Sequence, residues 1–185
     1  RQRQRCIRAS HITGQLSSID GGDEQVEALE KQVAILLEKA RKQAALLTAV
    51  RQRSAKTIEA EMKQRLVPLG IPNVRFEIAF ADKGLSSNGT DKVSFLFSAN
   101  KSTPLQPVTQ VASGGEIARV MLSLKAMISG AVKLPTIIFD EIDTGVSGKI
   151  AEKMADIMAE MGHLERQVIS ITHLPQIAAK GSHHY

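Results

Sequence analysis

The chain has 185 residues, of which 43% are hydrophobic and 23% charged, a balance near the globular average that excludes wholesale disorder and suits one ordinary domain, or a small domain with a long helical piece. Its apolar runs are a few residues long, far short of the ~20 that cross a bilayer, no charged-then-apolar leader is recognisable, and the single cysteine, Cys6, excludes an internal disulfide or a Cys-rich zinc site, so a reducing, intracellular home is expected. The formal net charge of +5 is uneven: residues 1–72 hold 13 Lys+Arg against 8 Asp+Glu, and residues 73–185 hold 11 of each. That excess allows a nucleic-acid partner or a solvated basic helix, while aromatics at 3% with no Trp argue against a base-stacking platform.

Two parts are expected, residues 1–72 and residues 73–185. Residues 1–17 contain Gly14 and four early Arg but show no clear period. A long helix is expected from about 20 to 67. Val26, Leu29, Val33, Leu36 and Ala40 step by three and four, a heptad seam that continues through Leu47 and Val50 to Ile58, Met62 and Leu66. Ser18 and Asp20 suit its start, and Pro68, Gly70 and Pro72 its stop. Its stretch from about 23 to 66, some 44 residues at ~1.5 Å each, makes a rod of roughly 65 Å, whose apolar stripe calls for a partner helix.

Val74, Phe76, Ile78 and Phe80 then alternate with Arg75 and Glu77, and Val93, Phe95 and Phe97 repeat the pattern. They predict two antiparallel strands with a packed face, joined by a long loop from Asp82 to Asp91. After Pro104 and Pro107, Ser113-Gly114-Gly115 opens an apolar-periodic helix that ends at Gly130. Thr136-Ile137-Ile138-Phe139 is a short buried strand closed by Asp140-Glu141. A second helix spans 149–161, and Gln167–Thr172 forms another strand, ending at His173. Helix and strand in alternation imply a parallel α/β sheet, with chemistry at the C-terminal ends of its strands.

Three features could carry that chemistry. Two adjacent carboxylates at the end of a buried strand cost stability. Mg²⁺ held by one carboxylate of the Asp140-Glu141 pair and by substrate phosphates would offset that cost, while the neighbouring carboxylate polarises a water; a strand simply running out into a polar loop is the plainer alternative. His173 could touch a terminal phosphate or be structural. Ser113, Gly114 and Gly115 could bring backbone N–H groups and a helix dipole to an anion, or be an ordinary N-cap.

In combination, Val111-Ala112-Ser113-Gly114-Gly115-Glu116, then Ile138 to Gly148, then Ile171-Thr172-His173-Leu174-Pro175-Gln176 resemble the signature, Walker B, D-loop and H-loop of an ABC-type ATPase head. Glu116 and the upstream rod are similar to the SMC-like branch, and in particular to its bacterial DNA-repair members, over roughly residues 20–185. Ala112 replaces the usual leading Leu, and Val146-Ser147-Gly148 stands where a late D-loop Asp is usual. The resemblance implies an α/β fold: the C-terminal half of the head, with a parallel core and an antiparallel pair, plus a coiled-coil helix. It also implies ATP and Mg²⁺ as cofactors. Asp140 would hold the metal, Glu141 the attacking water, and His173 the γ-phosphate. Ser113, Gly114, Gly115 and Glu116 would bind ATP held by a second head, and Asp143, Thr144, Gly145 and Ser147 would line the dimer interface. DNA, a second copy and the N-terminal half of the same protein are the implied partners, at the bacterial nucleoid in the cytoplasm, in double-strand break repair and recombination.

A phosphate-binding loop is absent. The only Gly-Lys pair is Gly148-Lys149, followed by Ile150 where Ser or Thr is needed. The expectation is therefore a fragment, one arm plus half a head, that does not hydrolyse ATP alone. A non-enzymatic coiled-coil interaction module remains the alternative. A transporter subunit is disfavoured by the rod and by Glu116.

Overall fold

The computed structural model describes residues 2–111, 113–132, 134–163 and 166–185, and only the backbone of 2–10, 12–21 and 23. Ala112 and the side chains of Cys6, Ser18 and Asp20 therefore lie outside the described residues. The elements are α1 (Gln2–Leu66), β1 (Arg75–Ser86), β2 (Gly89–Ser98), β3 (Gln106–Pro107), a 3-10 turn (Val108–Gln110), α2 (Gly114–Ala131), β4 (Thr136–Asp140), α3 (Gly148–Gly162), β5 (Gln167–Ile171) and α4 (Pro175–Ala178). One sheet has the order β1-β2-β3; the other is the pair β4-β5. The chain divides into two compact units, one of the helix up to Val50 with Lys83–Asp91, the other of Arg51–Asp82 with Lys92–Tyr185.

The first unit is an arm and a hairpin tip. The helix begins at Gln2, well before the caps that the sequence suggests near Ser18 and Asp20, and it passes through Gly14, Gly21 and Gly22. Each glycine costs a helix about 1 kcal/mol, too little to interrupt so long a ladder. The seam residues Val26, Leu29, Val33 and Leu36 are 54–63% exposed. Glu27–Lys31 and Glu38–Lys42 form i,i+4 ion pairs, both 2.7 Å, the orientation that favours a helix.

The long loop expected between β1 and β2 is mostly strand, with a turn at Ser87 and Asn88 only. Asn88 accepts a hydrogen bond from the Ser86 hydroxyl at 2.9 Å, and Gly89 has φ of 92°, so turn chemistry closes a tight hairpin. Asp91, 9% exposed, takes the Thr48 hydroxyl at 2.8 and 2.9 Å from its two oxygens. Replacing Thr48 with Val leaves a buried carboxylate short of a donor, a loss of about 1–3 kcal/mol. Hydrogen exchange of the 83–91 amides should accelerate accordingly; unchanged protection would show that the tip does not need this bond.

In the second unit the core gathers Met62, Leu66, Leu69, Phe76, Phe97, Val120, Leu122, Phe139, Met154 and Met158. Glu59 accepts from the Ile78 backbone N–H at 2.8 Å, which ties the last turns of α1 to β1. The packed strand face is only partly as expected: Phe76, Ile78 and Phe97 are buried, but Val93 is 37% and Phe95 42% exposed. Phe95 lies at the rim, its ring 6.2 Å from that of Phe76. β4 and β5 are parallel, with Thr136 opposite Gln167 and Asp140 opposite Ile171. Ile137 and Phe139 face the core, while Ile138, Ile169 and Ile171 are 57%, 40% and 52% exposed. α3 packs against α2, β5 and α4, its buried stripe being Ala151, Met154, Ala155, Met158 and Met161.

Candidate functional site

Each candidate residue sits where a strand or helix ends. β4 delivers Asp140 and Glu141, β5 delivers Thr172 and His173, and α2 begins directly after Ser113. Register puts Asp140 beside Ile171, and the Glu141 N–H donates to the Ile171 carbonyl at 3.1 Å. The two strand ends are thereby locked together, which is where a parallel sheet gathers its chemistry.

Glu141 is the only described non-glycine residue with positive φ, at 45°. That conformation is costly for a residue with a side chain and persists only where neighbours enforce it. Here they do so: its carbonyl accepts from the Thr144 N–H at 3.3 Å and from the Thr144 hydroxyl at 2.9 Å. Such strain is common at functional sites.

Ser113 caps α2 with its hydroxyl, but the Glu116 N–H is 3.4 Å away, a long bond that leaves the helix N-terminus receptive to an anion. Gly114 has open space where a Cβ would be, whereas a Cβ on Gly115 would sit 3.2 Å from the Gly145 carbonyl oxygen and 3.3 Å from that of Thr144. The start of α2 is therefore seated against the loop after β4. Gly115→Ala forces those carbonyls to move and should cost about 1–3 kcal/mol, measured as a shift in the urea midpoint at constant slope; an unchanged midpoint would mean the loop yields freely.

Arg119, which sequence reasoning missed, anchors the same corner. Its Nε donates to the Gly115 carbonyl at 2.9 Å and its Nη1 to the Leu69 carbonyl at 2.8 Å. Burial pulls its pKa below the ordinary guanidinium value, and Glu116 opposes that shift. No periodic or motif signal marks this arginine; only the fold brings Leu69 to it.

Asp143, expected to line a dimer interface, is completely buried. Its carboxylate accepts the Thr172 hydroxyl and lies 3.6 Å from His173 Nδ1. Thr144, Gly145 and Ser147 are exposed, and the Ser147 side chain makes no capping bond to α3. Asp140, Glu141 and His173 are exposed as well. Among the described residues no cluster of three His, Cys, Asp or Glu side chains is arranged to hold a metal ion. The donor set suits Mg²⁺ held by one carboxylate and by phosphate oxygens, and it does not suit a cation caged by protein alone. No described helix is long and apolar enough to cross a membrane.

No family model matches the chain. It is 36% identical over 181 residues to the DNA repair protein RecN of Halalkalibacterium halodurans, covering 95% of this chain and 32% of that protein. To RecN of Vibrio cholerae it is 35% identical, covering 91% and 31%, and to RecN of Bacillus subtilis 33%, covering 95% and 33%. The chain thus spans about a third of the length of the curated relatives it matches. In structure it is similar to the Smc head domain with an extended coiled coil from Pyrococcus furiosus, solved bound to the C-terminal domain of ScpA (TM-score 0.58, 20% identity, 85% of this chain and 37% of that one). It is also similar to the Smc head domain with a coiled coil and joint from Pyrococcus yayanosii (TM-score 0.56, 20% identity, 73% and 25%). The chain resembles RecN along nearly all of its length, and its fold is α/β, with a parallel and an antiparallel sheet and a long helix, similar to that of Smc head domains with a coiled coil.

Proposed function

We propose that the chain is one arm and half the head of an SMC-like protein that binds and hydrolyses ATP in bacterial DNA double-strand break repair and recombination. The observation that carries this reading is the joining of three loops at one corner: Glu141 hydrogen-bonded to the end of β5, Asp143 beside His173, and Gly115 against Thr144 and Gly145. Similarity to RecN proteins over 95% of the chain supports it.

ATP would be held between two heads. Asp140 would hold Mg²⁺, which when bound neutralises charge on the phosphate oxygens. Glu141 would orient the attacking water and take its proton. His173 would meet the γ-phosphate. Ser113, Gly114, Gly115 and Glu116 would present the α2 N-terminus to ATP on the other copy. Thr144, Gly145 and Ser147 would line the contact between copies. The phosphate-binding loop would come from the N-terminal half of the same protein. The exposed apolar face of Ile138, Ile169 and Ile171 gives that half a place to pack, because parallel sheets bury both faces. The basic arm would contact DNA phosphates without reading bases, at the nucleoid in the cytoplasm.

A second reading, a coiled-coil interaction module without catalysis, is favoured by the missing phosphate loop and the exposed seam. One experiment separates the two. Alone, the 185-residue chain should show no ATP turnover beyond that of a Glu141→Gln control. Co-expressed with the segment carrying the phosphate loop and the opposite arm, it should dimerise on ATP addition, and Ser113→Arg should abolish that step. Dimerisation indifferent to ATP would favour the interaction module.

A further inference from the structure

We propose that Asp143 is a positioning residue for His173, fixing which imidazole nitrogen carries the proton. The role of His173 rests on the reading above; the pairing itself rests on geometry. Asp143 has none of its surface exposed, so it cannot present its carboxylate to a partner. One oxygen accepts the Thr172 hydroxyl, and that hydroxyl in turn accepts the Leu174 N–H at 3.0 Å. The same carboxylate oxygen lies 3.6 Å from His173 Nδ1. The other, Oδ1, has no hydrogen-bond donor among the described residues.

A fully buried carboxylate with one oxygen unsatisfied is costly; His173 Nδ1 faces the other oxygen, Oδ2, which also accepts from the Thr172 hydroxyl. The 3.6 Å separation is slightly beyond hydrogen-bond length and within ion-pair reach. The His173 side chain is otherwise 67% exposed, so one edge of the ring faces a buried anion while the rest faces solvent. Such a carboxylate selects the tautomer with the proton on Nδ1 and leaves Nε2 for the ligand. Neutral, Nε2 accepts a proton from water; charged, it donates to a phosphate oxygen. Thr172 holds the carboxylate still.

The test is nitrogen NMR of the full chain labelled with ¹⁵N-histidine, with no nucleotide present, at a pH where the imidazoles are neutral. His173→Gln identifies the signal among the five histidines. In the unsubstituted chain, His173 should be mainly the Nδ1–H form. In Asp143→Asn the negative charge that favours a proton on Nδ1 is gone, and the Nε2–H form should become the major one. Thr172→Val should keep the Nδ1–H form. A merely structural Asp143 would lower the melting temperature without moving the tautomer. A predominant Nε2–H form in the unsubstituted chain overturns the proposal, and that reading stands even where Asp143→Asn does not fold. Neither result depends on ATP turnover, so failure of the ATPase reading is seen separately.

Discussion

In the assembled head, Glu141→Gln should leave ATP binding intact and lower turnover by about 10²–10⁴-fold, the range that a positioned general base contributes. Gln has the shape of Glu and keeps every backbone bond that holds position 141: N–H to the Ile171 carbonyl, and carbonyl to the Thr144 N–H and hydroxyl. Only the proton-accepting oxygen is lost. Glu141→Gly makes the complementary comparison. It relieves the positive φ of 45°, so it should be neutral or stabilising for the backbone while losing turnover as fully as Gln does. Equilibrium ATP binding and single-turnover hydrolysis on both variants settle the point. A Gln variant with ordinary turnover would remove Glu141 from the chemistry.

The largest loss of stability is expected at Phe139→Ala, about 3–5 kcal/mol for a buried aromatic reduced to a methyl group. Phe139 is 1% exposed in the middle of the core cluster. Its ring also carries the Lys125 ammonium 4.9 Å from the centroid, and removing the ring removes that cation–π attraction too. Because Phe139 directly precedes Asp140, the same change should disorder the strand end that holds the carboxylates. Ile138→Thr is the control on the opposite face. At 57% exposure, it should shift the stability of this chain by no more than about 0.5 kcal/mol. Urea denaturation of both variants is the check. Equal losses at the two positions would contradict the assignment of one covered and one open face to β4.

The elements closest to the candidate site were the most legible. Short apolar runs located β4 and β5, and helical periodicity α3, each within a residue or two, because breakers bound them; the run of apolar residues in β4 read as buried, and the structure buries only Ile137 and Phe139. The hairpin tip was not legible. Lys83 and Gly84 break the alternation, and strand continues there through turn chemistry at Ser86–Gly89 and the distant Thr48–Asp91 bond. The start of α1 was misplaced because residues 1–17 show no clear period and Ser18 and Asp20 suit a cap, whereas Gly14, Gly21 and Gly22 are only local costs in a long helix. At the site, motif residues were visible and their supports were not. Arg119 and Thr172 act through partners that only folding brings near, Leu69 and Asp143. Asp143 itself looked like a surface loop residue, because burial of a polar residue is a tertiary fact with no periodic trace.

On the proposed reading, the glycine-tipped helix of one copy and the carboxylates of another complete a single ATP site. Mixing two variants of the intact protein tests it most directly: Ser113→Arg, defective in the helix tip, and Glu141→Gln, defective in the base. Each alone should be inactive. In a mixed pair, Glu141 of the first variant meets Ser113 of the second and forms one intact site, so ATP turnover should reappear on mixing. If the mixture stays as inactive as either variant alone, while mixed pairs are shown to form, the two groups do not serve one site across copies.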